Sequence, residues 1–455
     1  KRELCSKLPK GGLLCDEMGL GKTLQIISLI IANQIPNTLI VMPSNLISQW
    51  IDEIKKFSGD YIDIIIHHGS NRITDISLLQ KDNIKIVITS YGLIARYPNS
   101  ILHQIKWGRV ILEECHLVRN SRSKSAKSVF RLKSKYRWGI TGTPIHNSIK
   151  DLCSLCNFLA HIDASTVKKY RNDIVDKWII RRTKKQVEQF NIKLKLPDIS
   201  IEVHRVDHKS IEERLLYNKI KGEVDKTIKL LSKFDFNMVH WLELVLRLKQ
   251  AATYPQLVID GYNKKKWGKT YENWNGTNTK LDYIIYGITK HKQTERPIIF
   301  GQFTKEINYL VVKLSEKNFR VKKIDGSVSF FERNDIIRQA AKITDPKDPN
   351  YIDVLVVQIN AGGTGLNLQM FNSVWFSTIS WNPAIEMQAI ARVHRLGQLN
   401  NVKVRKILIN NTIDIYIQET QQHKIKIMME ILKDTSFNQK SINKLTISNI
   451  KKMLK

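Results

Sequence analysis

Ten short, almost continuously apolar runs constrain this chain more than anything else in its sequence. Five fall within residues 1–160: "TLIVMP", "IDIIIHH", "IKIVITSYG", "RVILEE" and "RWGITGT". Five more begin at about residue 296: "RPIIFGQF", "RVKKIDG", "IDVLVVQI", "SVWFSTI" and "VKVRKILI". Helical stretches separate the runs in each series. A strand that is apolar on both sides must be covered on both faces, and alternation with helices achieves this as a parallel sheet between helical layers. The predicted fold class is α/β, with two lobes in tandem. A length of 455 residues fits that division, since one core stops growing well before this size.

Between the lobes, roughly 165–260 reads as helical and charged, as in "IEERLLYNKIKGEVDKTIKLL". The Gly-, Asn- and Lys-rich stretch at 261–280 reads as a flexible connection, and 342–350 as a surface loop. The expected domains are a first lobe over 1–165, a helical protrusion and linker over 166–280, a second lobe over 281–430, and a basic tail over 431–455.

Lys and Arg number 73 against 42 acids, a formal net charge of +31, which favours a polyanionic partner. Some of this excess matches a composition rich in Ile, Lys and Asn. No apolar run approaches a bilayer span, and no signal-peptide pattern is present. The expectation is an intracellular protein with no membrane partner. If the source is a cellular eukaryote it would be nuclear; if a large DNA virus, it would act at a cytoplasmic replication site or in the nucleus. The chain opens on Lys1 rather than Met, which suggests a piece of something longer. Five cysteines form no disulfide framework. Cys153 and Cys156 make a C-x-x-C, but no second ligand pair follows at zinc spacing, and they share the apolar face of a predicted helix with Leu152, Leu155 and Leu159.

Chemistry enters with "GGLLCDEMGLGKTLQIISLI". A strand, a glycine loop and a helix opening at Lys22 make a phosphate-binding arrangement spanning Asp16, Glu17, Met18, Gly19, Leu20, Gly21, Lys22 and Thr23. Gly19 and Gly21 let backbone N–H groups turn toward phosphates, and the helix N-terminus adds its positive dipole end. Lys22 would reach the β/γ-phosphates, and the Thr23 hydroxyl would ligate Mg²⁺. The strict pattern wants Gly where this chain has Asp16. Such a loop needs a partner strand ending in acids that hold the Mg²⁺ and orient a water. Glu113 and Glu114, about ninety residues downstream in "WGRVILEECHLVRN", stand where that pair should fall.

Eight segments then occur in one order: "CDEMGLGKT", "TLIVMPSNLISQW", "VILEECHLVRN", "RWGITGTPIHNS", "RPIIFGQF", "IDGSVSFFERNDII", "AGGTGLNL" and "WNPAIEMQAIARVHRLGQ". In these segments the chain resembles the Swi/Snf-like ATP-dependent DNA translocases of helicase superfamily two, over residues 3 to 425. The resemblance implies two RecA-like lobes, ATP and Mg²⁺ as cofactors, and double-stranded DNA as partner, with nucleosomes or other DNA-bound proteins as what is moved. It implies Lys22 and Thr23 on phosphate and metal, Glu113 toward the metal, and Glu114 positioning or deprotonating the water. His116, Thr141, Gly142 and Thr143 would couple nucleotide state to lobe position. From the second lobe, Arg392 and Arg395 would be arginine fingers, their i, i+3 spacing placing both on one helix face, with Gln388 one turn before Arg392. DNA contacts would come from Ser44, Thr89, Gly363, Thr364, Asn367 and Trp381, the last able instead to pack between lobes. "IIRRTKKQV" (179–187) is the family's basic element after lobe one, read otherwise as a solvated basic face.

Three departures stand out. Glu113 replaces an Asp, Cys115 replaces the usual Ala, and the upstream Gln-containing segment that contacts adenine is not part of the sequence. The motifs look closest to the repair-type subgroup. That subgroup often carries a RING zinc finger between the lobes, yet no Cys follows Cys156, so no such finger is expected. The rival readings are a motor whose hydrolysis is impaired by Glu113, and a strand-separating helicase.

Overall fold

In a computed structural model, the described residues are 9–73, 75, 85–190, 196–231, 238–264, 272–362 and 366–432. They divide into two compact units, the first comprising 9–190 with 424–432 and the second 196–423. No helix among the described residues is long and apolar enough to cross a membrane.

The first unit is built on seven strands: β1 (Gly11–Leu14), β2 (Thr38–Met42), β3 (Asp63–His67), β4 (Lys85–Ser90), β5 (Lys106–Glu113), β6 (Lys133–Ile140) and β7 (Ile179–Ile180). Their order is β3-β4-β2-β5-β6-β1-β7, and every pairing is parallel. The apolar runs behave as expected of central strands: β2 and β4 are buried along their whole length. In β5, Val110 and Leu112 enter one core with Val41, Val87 and Phe158, while Ile111 enters the other with Ile27, Ile40 and Trp50. Alternation survives inside an all-apolar run because both faces are covered by helices, Lys22–Ala32 and Ile47–Ser58 on one side and Ile149–Ala160 on the other. Cys153 and Cys156 are buried in the first of these cores, the packing role expected of them.

The second unit carries six parallel strands in the order β10-β11-β9-β12-β13-β8. They are β8 (Ile199–Val206), β9 (Pro297–Gly301), β10 (Val321–Ile324), β11 (Val354–Gln358), β12 (Ser373–Phe376) and β13 (Val402–Ile409). Two parallel sheets flanked by helices is thus the observed architecture, as the apolar runs required.

The stretch expected to be a separate helical protrusion is divided: 166–190 belongs to the first unit, and the chain from 196 onward belongs to the second. It also contains two strands. β7 and β8 are edge strands, and in "ISIEVHRV" the alternating apolar residues Ile199, Ile201 and Val203 are exposed while Glu202 and His204 are half-buried. Helix Ile211–Leu231 lies where the amphipathic run places it. Residues 342–350 form a largely exposed loop, as read. Within the expected connection, 265–271 lie outside the described residues, as does the tail beyond 432.

One buried ion pair joins helix Thr279–Lys290 to helix Ile413–Leu432 in the second unit. Lys280 Nζ lies 2.6 Å from the Asp414 carboxylate, with both side chains fully buried, and Asp414 also accepts from the Ile409 amide at 3.0 Å. Removing one member of such a pair strands the other charge in the core. Lys280→Met should therefore destabilise the second unit by about 3–5 kcal/mol in urea unfolding, and Lys280→Met with Asp414→Leu should recover part of that loss. A neutral single variant would show that Lys280 does not compensate Asp414.

Candidate active site

The loop leaving β1 turns through Gly19 (φ 91°) and Gly21 (φ 71°, ψ 34°), both left-handed. A Cβ added at Gly21 would meet nothing within 4 Å, so glycine is required there by its dihedral and not by crowding. Helix Lys22–Ala32 starts at once, and its first-turn amides have no intrahelical acceptors. Lys22 Nζ donates to the carbonyls of Asp16 (2.8 Å) and Glu17 (3.3 Å). Burial lowers its pKa, while attraction to Glu113 and Glu114 opposes that shift, so the ammonium and both carboxylates share one electrostatic neighbourhood. Half-buried Thr23 comes next, in the first turn. Amides, an ammonium, a hydroxyl and two carboxylates form a donor set that fits a polyphosphate with a hard divalent cation.

Glu113 ends β5, and Glu114 adopts φ 51°, ψ 49°. A non-glycine residue held there costs on the order of 1–3 kcal/mol and persists only where its surroundings fix it. They do so here. Tyr91 of "TSYG" donates its hydroxyl to the Glu113 carbonyl at 2.9 Å, and the Leu117 amide donates to the Glu114 carbonyl at 2.9 Å. The Glu114 carboxylate lies 3.2 Å from His116 Nδ1 and 3.5 Å from the Thr141 hydroxyl, which is itself 3.0 Å from His116 Nδ1. Two of the expected coupling residues, His116 and Thr141, are therefore in contact with the expected water-positioning acid.

The end of β6 completes the cluster. The Thr141 amide donates to the Leu14 carbonyl (3.1 Å), and the Thr143 amide to the Thr141 hydroxyl (3.2 Å). A Cβ on Gly142 would lie 2.5 Å from Met18 Cγ, so the loop's Met18 packs directly on that glycine. His146, not singled out in the sequence, stacks on His116 with centroids 4.7 Å apart and planes 28° apart. Its Nε2 is 3.1 Å from the Thr143 hydroxyl and 3.0 Å from the Thr143 carbonyl, and its amide donates to Asp151. Burial, reinforced by repulsion from His116, pulls the His146 pKa down to about 3. Cys115 fits because its neighbour is Gly139, where a Cβ would come within 3.0 Å of the thiol sulfur. Burial pushes that thiol well above its ordinary range, so it acts as packing.

The basic stretch after the first lobe is not a solvated face. Cys15 N donates to Ile180 O (2.7 Å) and Glu17 N to Arg182 O (2.9 Å). Asp16 is 1% exposed and its carboxylate is committed sideways, to the Arg182 amide (2.9 Å), the Arg182 guanidinium and Gln25 Nε2 (3.1 Å). The Asp16 carboxylate is taken up by these bonds, while its carbonyl accepts from Lys22 Nζ. The Lys184 amide donates to Glu17 (2.8 Å), and Arg181 Nη1 donates to the carbonyls of Cys15 (3.3 Å) and Gly142 (3.5 Å). A basic run alone gives no signal of this lacing.

The residues expected on DNA separate. Ser44 is exposed at the start of the turn after β2. Thr89 is fully buried and donates its hydroxyl to the His67 carbonyl at 3.0 Å, so it cannot touch DNA; strand burial overrides the motif reading there. Gly363 and Thr364 lie outside the described residues. Asn367 is exposed and lines a cavity of about 1040 Å³ with Pro297, Arg320, Asp353, Asn372 and Asn400, residues at the beginnings of strands. That is the edge opposite the loops following β9 and β11, so Asn367 is apart from them. Trp381 is half-buried and packs edge-on to Tyr416 at 6.1 Å, beside a helical core.

Gln388 and Arg392 lie one turn apart on helix Pro383–Val393, as expected. Arg395 does not share that helix. The Arg392 carbonyl accepts from the Leu368 amide (3.1 Å), His394 caps the end and bonds to the Pro197 carbonyl (2.8 Å), and Gly397 turns at φ 96°. The chain therefore leaves the helix before Arg395, and the shared-face argument from i, i+3 spacing fails.

Comparison with known proteins divides the chain further along, between residues 257 and 278. A family profile described as SNF2-related domain matches residues 2–257, and one described as Helicase conserved C-terminal domain matches 278–397. The chain is 24% identical to "DNA repair protein RAD5B" of Arabidopsis thaliana, over 94% of this chain and 46% of that protein. It is 27% identical to "ATP-dependent DNA helicase DDM1" of Arabidopsis thaliana over 94% and 60%, and 26% identical to "ISWI chromatin-remodeling complex ATPase ISW2" of Saccharomyces cerevisiae over 91% and 38%. The chain spans about half the length of the curated relatives it matches. The solved "Sulfolobus solfataricus SWI2/SNF2 ATPase core in complex with dsDNA" aligns at 26% identity over 99% of this chain and 94% of that one, with a TM-score of 0.41.

His146 generates a pH prediction. Its folded pKa lies below its unfolded value, so the unfolded chain binds the extra proton and stability falls as pH drops below about 6.5 toward 3. Its contribution to stability is complete above that window. His146→Gln should remove up to about 1.4 kcal/mol per pH unit from the slope of first-unit stability between pH 6 and 4. An unchanged slope would mean that His146 is protonated in the folded protein.

Proposed function

The chain belongs to the SNF2-related family, and on that premise we propose that it is an ATP-dependent motor that moves along double-stranded DNA and displaces or remodels bound protein. The observation that carries the reading is the meeting of Lys22, Glu113, Glu114 and Thr141 at the ends of three adjacent strands.

Lys22 and the first-turn amides offset the charge of the β/γ-phosphates. Thr23 and Glu113 would hold Mg²⁺, which supplies further charge neutralisation when bound. Glu114 orients the attacking water and accepts its proton. Thr141 and His116 hold the Glu114 carboxylate, and Gly142 touches the phosphate loop through Met18, so a change at the loop reaches the water-positioning acid within two contacts. Arg392 and Arg395 act as the second unit's arginine fingers, with Gln388 beside Arg392. Duplex DNA, nucleosomal or bare, is the track. The Lys and Arg excess supports a polyanionic partner, and one relative is named an ATP-dependent DNA helicase. A second reading is favoured by one observation, Glu113 in the place of Asp: a hydrolysis-impaired module that binds DNA in response to ATP.

Hydrolysis measured without nucleic acid, with duplex DNA, with single-stranded DNA and with RNA should rise at least about tenfold with duplex, a barrier lower by roughly 1.4 kcal/mol. Equal stimulation by RNA, or none at all, sinks the motor. Glu114→Gln should abolish turnover and retain ATP binding, whereas Glu113→Asp should retain or raise activity. An inactive wild type rescued by Glu113→Asp would establish the impaired module instead. Arg392→Ala or Arg395→Ala should cut the rate by roughly 10³ with DNA affinity nearly intact, and survival of activity in both would remove the arginine-finger role.

A further inference from the structure

Asp16 has two attachments. Its carbonyl accepts from Lys22 Nζ at 2.8 Å, and its carboxylate, 1% exposed, is held by Arg182 through the backbone amide, Nε and Nη2. Arg182 Nη2 also donates to Gln25 Oε1 (2.6 Å), and Gln25 Nε2 donates to the Leu20 carbonyl (3.0 Å). One guanidinium therefore grips both ends of the phosphate loop: Asp16 at its entry, and through Gln25 the residue just before Gly21. The bond to Asp16 raises the Arg182 pKa, so the cation is present at every ordinary pH. The guanidinium itself is half exposed and reachable from solvent, unlike the carboxylate it holds.

We infer that Arg182 and Asp16 form a latch that sets the shape of the phosphate loop and the place of the Lys22 ammonium, making Arg182 a positioning residue for nucleotide binding. The inference rests on the reading of this loop as the ATP site. Arg182 acts through Asp16 and Gln25, the two side chains that hold its guanidinium. Residues 179–190 are also the last described residues of the first unit before the second begins at 196, so the latch joins the loop to the outgoing chain. A planar, forked donor suits this role, because it satisfies the carboxylate and a neighbouring amide oxygen together, which a lysine ammonium does less well.

The test uses the full chain with Arg182→Ala, Arg182→Lys, Asp16→Asn and the double variant Arg182→Ala with Asp16→Asn. Equilibrium binding of a fluorescent, non-hydrolysable ATP analogue is measured without DNA, and steady-state hydrolysis with duplex DNA. Arg182→Ala should weaken analogue binding and raise KM for ATP by about tenfold or more. Its kcat at saturating ATP should stay within about threefold of wild type, the split expected when binding geometry alone is disturbed. Arg182→Lys should fall between, and the double variant should be no worse than Arg182→Ala, because paired groups lose their interaction only once. Wild-type analogue affinity in Arg182→Ala, or losses that add in the double variant, would overturn the latch. So would a fall in kcat and melting temperature with unchanged nucleotide affinity. If Arg182→Ala does not fold, Arg182→Lys and Asp16→Asn carry the same comparison. A wild type that binds the analogue but hydrolyses nothing with DNA refutes the motor and leaves the latch tested by binding. A wild type that binds no analogue refutes both.

Discussion

The site depends on register. In the first sheet, Leu14 of β1 and Glu113 of β5 both pair with Ile140 of β6. Three parallel strands end level with one another, and the residues that leave them are Cys15 and the phosphate loop, Thr141, and Glu114. Parallel pairing is what makes this possible, because it delivers every outgoing loop to the same edge of the sheet. A slip of one residue in β5 would move Ile111 into the opposite core and turn both acids away. The apolar runs that fix the two cores therefore also fix the chemistry at their ends.

That register also explains why strain at Glu114 is tolerated. Thr141 can meet the carboxylate because the Thr141 amide is bonded to Leu14, and Glu114 can turn left-handed because Tyr91 holds the carbonyl just before it. The family resemblance assigns the stretch "TSYG" to DNA through Thr89. Its buried threonine and tyrosine instead brace the strand ends, Thr89 on His67 and Tyr91 on Glu113. A motif adjoining one surface can thus be wired to the acids by a single hydrogen bond. This gives a physical path from that stretch to the Glu113–Glu114 pair.

Much of this is legible in the sequence, for reasons that differ by element. Strands apolar on both faces announce a covered parallel sheet, and Gly19, Gly21 and Lys22 announce a phosphate loop, because each pattern has few other structural solutions. The lacing of the loop by Arg181, Arg182 and Lys184 is not legible, since a run of basic residues looks the same on a solvated face or over a buried Asp16. Spacing misleads at Arg395, because the helix ends at Val393, and the Arg392 carbonyl takes the Leu368 amide from another loop. Strand β8 escapes a search for apolar runs because its apolar residues alternate with Ser200, Glu202 and His204.

Glu113 is where sequence and geometry bear on each other most closely. A glutamate in place of aspartate moves its carboxylate outward by one methylene, and a chain can absorb such a change in the backbone or in the side chain. The backbone is committed here. The Glu113 carbonyl is held by Tyr91, the strand is locked to β6 up to Ile140, and the next residue already sits in a strained conformation. Further backbone adjustment would add to a cost already near the limit for a single residue. The extra length must therefore be taken up in the glutamate's own torsions. On the proposed reading, an Mg²⁺ ion that keeps several waters would tolerate that, because its contacts to carboxylates would run partly through exchangeable molecules. The side chain of Glu113 thus carries the whole of the adjustment, while the Glu114 carboxylate is held by Thr141 and His116.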